Sequence, residues 1–124
     1  MGQIYSMRTA EPVGESVDYD VIRALKRSVG SARYVEIAEE ATFALADRLG
    51  RLERAFRNGD MAMCYRHAVN ICGIASQIGL VGVANVAADV KVCARDSDPA
   101  LAAVLARLNR LAEASLFSVF REGP

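Results

Sequence analysis

The chain holds one histidine, His67, and three cysteines, Cys64, Cys72 and Cys93, and these four side chains bound the nucleophilic and metal chemistry open to it. An imidazole can take up and pass on a proton or a phosphoryl group. Cys64 and His67 are three residues apart, and Cys93 could approach them from a neighbouring element, which would begin a zinc site. Zinc sites are built from paired ligands at C-x₂₋₄-C spacing, however, and no such pair occurs. Three thiols in amphipathic segments read instead as reduced, semi-buried side chains, so neither a metal nor another cofactor is expected. A Ser-His-Asp set could form only around the single histidine, and no Gly-rich phosphate loop is present. The carboxylates Glu36, Glu39 and Glu40 read as a charged outer helix face, so the composition gives catalysis little to stand on.

His67 lies in a stretch bounded by Asn58-Gly59-Asp60 and Gly79 whose apolar spacing is helical. At 100° per residue, Cys64, Ala68, Ile71, Ala75 and Ile78 form a stripe that faces a core. The opposite face carries Arg66, Val69, Asn70, Gly73, Ser76 and Gln77. His67 falls about 200° from Val69 and about 40° from Ile71, at the edge of the apolar stripe. That position predicts a structural histidine, hydrogen-bonded to a neighbour. Gly73 is less easily explained. Glycine inside a helix costs about 0.5–1 kcal/mol relative to alanine, and close approach of a partner is one reason to keep it on an outer face.

The elements that must position these residues are all helices. Val21, Ile22, Leu25 and Val29 repeat at helical spacing up to Gly30, which predicts a short first helix. Ser31 can cap a second, the longest, which runs to Asn58-Gly59. Asp60 suits the cap of a third that ends near Gly79, and a fourth spans about 80–95. Asp98-Pro99 is the clearest start signal, opening a fifth helix over about 99–120. Strand alternation is nowhere sustained, and the Ala-rich stretches favour helix. Short connections between four long amphipathic helices predict an all-α, up-down antiparallel four-helix bundle, with the short N-terminal helix packed across one end. Residues 1–16 lack periodicity and read as a flexible tail ahead of a domain over 17–121.

The motifs in this order resemble the histidine-containing phosphotransfer (HPt) domains of multistep two-component relays. The resemblance covers Val17 to about Leu111. It rests on the Asp-led start Val17-Asp18-Tyr19-Asp20-Val21-Ile22, the turn Arg57-Asn58-Gly59-Asp60, and the segment Ala68-Val69-Asn70-Ile71-Cys72-Gly73 with a second glycine at Gly79. The last of these is similar to the family pattern A-H-x-L-K-G, with Val69 at the place of the phosphoacceptor histidine and Cys72 at that of the lysine. The resemblance implies a surface that docks a response-regulator receiver domain, or a histidine kinase that handles one, through Arg66, Val69, Asn70, Cys72, Gly73, Ser76 and Gln77. Lys91 and Arg95, one turn apart on the fourth helix, would flank that surface; ordinary solvated charge near a helix C-terminus describes them equally well. Valine has no lone pair to attack phosphorus, so the expected role is to modulate a relay without carrying phosphate. Two alternatives stand beside it. One is an active phosphotransfer protein that uses His67 through a locally altered helix. The other is a helical scaffold that pairs with itself through Leu116, Phe117, Val119 and Phe120.

Size and charge narrow the setting. At 124 residues the chain is one domain's worth, and 52 % apolar residues can fill a core. Fifteen basic residues balance fifteen acidic ones, which argues against broad binding to nucleic acid or anionic membranes. No uncharged apolar run of 18 residues and no export signal occur, so a cytoplasmic protein is expected, monomeric or a homodimer.

Overall fold

The computed structural model describes the backbone of residues 17–122 and the side chains of residues 17–116. Within these bounds the chain forms five helices: α1 (Tyr19–Val29), α2 (Ser31–Arg57), α3 (Met61–Gln77), α4 (Val81–Arg95) and α5 (Leu101–Glu122). The tail over 1–16 and the side chains of Phe117, Val119 and Phe120 lie outside the described residues. Helices α2 to α5 pack each against the next, and α5 returns to touch α2, so the four close into an up-down antiparallel bundle. No helix among the described residues is long and apolar enough to cross a membrane.

The turns are legible in atomic detail. After α2, Gly59 takes φ +69°, its N–H donates to the Phe56 carbonyl (3.0 Å), and the Asp60 N–H reaches the Ala55 carbonyl (2.9 Å). The same pair of bonds ends α3 at Gly79 (φ +79°) and α4 at Ser97 (φ +51°). All three are Schellman closures, in which a left-handed residue turns the chain back and satisfies the last carbonyls. Each reverses direction within a few residues, which makes the neighbouring helices antiparallel. Asp60 then caps α3 by accepting from the Met63 N–H at 3.1 Å.

Two boundaries differ from the sequence reading. Ser31 does not cap α2: it is already helical, and Gly30 serves as both the end of α1 and the unaided start of α2. One residue joins the two helices, which leaves no room for a separate cap. Likewise α5 begins at Leu101 instead of Pro99. The Asp98 carboxylate accepts from the Ala100 N–H at 2.9 Å, so Pro99 and Ala100 form a capped turn before the helix proper.

The core is built from Leu45 and Leu52 of α2, Ile71 of α3, Val83 and Val90 of α4 and Leu108 of α5, all fully buried. Ala68 and Ala75 of α3 and Ala84, Ala87 and Ala94 of α4 are buried, and α3 and α4 form the most extensive contact in the bundle. Helix α1 packs on α2 and reaches the α3–α4 turn, where the Asp18 N–H donates to the Gly79 carbonyl at 2.7 Å. Lys26 lies 5.0 Å over the Tyr34 ring, tying α1 to the first turn of α2.

Candidate functional site

Helix α3 divides as its spacing requires. Cys64, Ala68, Ile71 and Ala75 are buried, while Arg66, Val69, Asn70, Gly73, Ser76 and Gln77 are exposed. Val69 is 43 % exposed, a high value for an aliphatic side chain in mid-helix. One turn further, a Cβ built on Gly73 would meet nothing within 4 Å, so nothing inside this chain requires the glycine. Cys72 is half-buried and packs against the core.

His67 lies on the other side. It is 5 % exposed and sits on the side of α3 that packs against α2. Burial lowers its affinity for a proton, and the charges of Arg48, Arg51 and Arg54 lower it further, against a smaller opposite effect from Asp47. These surroundings disfavour the protonated ring. The sequence reading expected it to be hydrogen-bonded to a neighbour, but its Nδ1 is buried without a partner. No polar side chain hydrogen-bonds to that atom, and Asp47, the acid whose charge acts on the ring, is engaged by Arg51 at 2.9 Å.

The expected docking residues of α3 follow one another at i, i+3 and i+4 along its outer face, and Arg66 and Gln77 also border separate recesses. Val69, Gly73 and Ser76 follow each other along the outer face of α3. Arg66 meets Arg95 at a shallow recess of about 530 Å³, which Met61, Tyr65, Ala94 and Ser97 also line. Arg95 is engaged there by the adjacent Asp96 carboxylate, at 2.9 and 3.2 Å. Gln77 instead borders a groove of about 500 Å³ between α1, α2 and α3, floored by Leu25, Ile37, Ala41 and Ile74. Lys91 is half-buried and lines neither.

Comparison of the chain with family models, curated proteins and solved structures found no match. Among the described residues, no group of three His, Cys, Asp or Glu side chains could hold a metal ion. Burial pushes the thiols of Cys64 and Cys93 up, and neighbouring aspartates push them further, so both stay protonated and weakly nucleophilic. The outer face of α3 exposes an apolar side chain at Val69, amide groups at Asn70 and Gln77, and an unobstructed backbone at Gly73.

Two features escaped the sequence reading. Tyr65 is 37 % exposed and stands one turn before Val69, so an exposed apolar line runs Tyr65, Val69, Gly73. Its i, i+4 spacing was available as a signal. The arginines of α2 that surround His67 carry the spacing i, i+3, i+6, which in a sequence is indistinguishable from an ordinary solvated face.

Proposed function

We propose that this chain is an HPt-like protein of a two-component system that docks a receiver domain, or a histidine kinase handling one, and modulates a phosphorelay without itself carrying phosphate. The observation that carries this reading is the contrast on α3 between an outward Val69 beside an open Gly73 and an inward His67. A receiver pressed against this face would bury Val69 and Tyr65, and burying a valine side chain is worth about 1.5 kcal/mol or more. Gly73 would let the partner's backbone come close. With no imidazole on that face, a docked phospho-receiver finds no nucleophile, and the chain would occupy the receiver without discharging it. Such relays operate in the cytoplasm, where three unpaired thiols are at home.

Use of His67 as phosphoacceptor would require α2 and α3 to part around a ring that is now closed off, which makes it the weaker reading. Calorimetric titration against the receiver domains of the source cell tests the proposal. Saturable binding to at least one of them, weakened by Val69→Asp, is the expected result. Absence of binding to every receiver and kinase tested would overturn it.

A further inference from the structure

Helix α2 carries its charges in two blocks. Its first half holds Glu36, Glu39 and Glu40 against Arg33, and its second half holds Arg48, Arg51, Arg54 and Arg57 against Asp47 and Glu53. At 100° per residue, Glu36, Glu39, Phe43, Ala46, Gly50, Arg54 and Arg57 fall within about 80° of arc and form one stripe. The buried residues Tyr34, Ala38, Leu45 and Leu52 lie on the opposite side of the helix. Gly50 is half-buried and the other six stripe residues are exposed. Phe43, near the middle, is 78 % exposed, the most of any large apolar side chain among the described residues. A phenyl ring held in water forgoes the burial that a facing surface would supply. Two turns on, a Cβ built on Gly50 would meet only the Arg54 guanidinium, at 3.6 Å, so no core contact requires the glycine. The stripe thus reads, in order, acidic, aromatic, small, basic.

A surface with that order is complementary to its own reverse, which is what a two-fold symmetric interface requires. We propose that the outer stripe of α2 pairs antiparallel with the same stripe of a second copy of this chain, about an axis between residues 46 and 47. Position 39 then faces position 54, position 43 faces 50, and position 36 faces 57. Phe43 of each copy seats over the partner's Gly50, where the partner's Arg54 guanidinium can lie on the ring face. Glu39 meets the partner's Arg54, and Glu36 meets the partner's Arg57. Ala46, beside the axis, lets the helices approach closely. Asp47, at the edge of the stripe, is engaged by Arg51 at 2.9 Å. Glu36 and Arg57 already hold Arg33 and Glu53 on their own helix, at 3.0 and 3.5 Å. The pairing of Glu39 with Arg54 is therefore the new ion pair that association forms. An unrelated partner would have to reproduce this charge order, whereas a second copy carries it by construction. One helix face per copy is a small interface, so the dimer dissociates on dilution in the micromolar range. No residue of α3 takes part, and the pairing stands independently of receiver docking.

Sedimentation equilibrium of the full chain at low salt, from low micromolar to near-millimolar concentration, should show a monomer–dimer equilibrium. Phe43→Glu and Gly50→Leu should each weaken it by about tenfold or more. Phe43 is exposed, and leucine favours a helix more than glycine does, so both variants keep the fold, which circular dichroism checks. Glu39→Arg and Arg54→Glu should each weaken association severalfold, because each sets like charges opposite one another across the axis. Mixed in equal amounts, these two variants should associate as wild type does, since one copy is then basic at both positions and the other acidic at both. That recovery requires position 39 to face position 54, and it separates antiparallel α2 pairing from contact through any other face. A chain that stays monomeric over the whole range would overturn the proposal. So would a dimer indifferent to Phe43→Glu, or a mixture of the charge variants that associates no better than either alone.

Discussion

Val69 and His67 stand two residues apart on α3 and point to opposite sides of it, Val69 43 % exposed and His67 5 % exposed. Two helical steps of 100° produce this opposition, and the core contacts of Ile71 on one side of the register fix it. Turning His67 outward would carry Ile71 to solvent, which removes a fully buried isoleucine from the core. The position open to a partner and the side chain able to take a phosphoryl group are therefore separated by the same packing that holds the bundle together.

Gly73 is kept at a cost to the helix. Since an added Cβ meets nothing, Gly73→Ala should raise the stability of the fold by about 0.5–1 kcal/mol, read as a higher denaturation midpoint with an unchanged slope. Gly73→Leu should fold as well and weaken receiver binding about tenfold or more. A leucine variant that binds like wild type would remove the glycine from the docking surface.

His67 couples the fold to pH. Its folded form holds a proton less readily than the unfolded chain, whose imidazole titrates near about 6.5. Between its lowered folded value and that ordinary one the unfolded state binds more protons, so stability rises with pH through this window and is lost as pH falls through it. Above the ordinary value the effect is complete. Denaturation at about pH 5 and pH 7.5 should show wild type losing more stability on acidification than His67→Gln, and parallel pH profiles would contradict the burial of the ring.

The three Schellman turns make a graded prediction. Gly79→Ala forces a methyl group to 2.8 Å from the Asp18 carbonyl at φ +79°, and should cost roughly 2 kcal/mol or more. Ser97 already bears a side chain at φ +51°, so Ser97→Gly should stabilise by about 1 kcal/mol. Thermal melts of the two variants check the opposite signs.

The helices were legible in the sequence because their punctuation is local. Asn58-Gly59-Asp60 and the glycine at 79 each supply a left-handed residue and a stop, and apolar spacing between them assigns the faces of α3. Ser31 misled because a cap residue is recognised by its neighbours, and here Gly30 had already taken the place. The unpartnered Nδ1 of His67 emerges only from the packed structure, because it depends on how α2 lies against α3, which no local pattern records.

Whether this chain meets a receiver without accepting its phosphate is decided by incubating wild type, Val69→His and Val69→His with Cys72→Lys, each with a labelled phospho-receiver that binds the protein. Wild type should stay unlabelled, and the variants that place an imidazole on the outer face of α3 should gain acid-labile phosphohistidine, the double substitution faster because its ammonium offsets the charge on the transferring group. Label on wild type that His67→Gln abolishes would contradict the account.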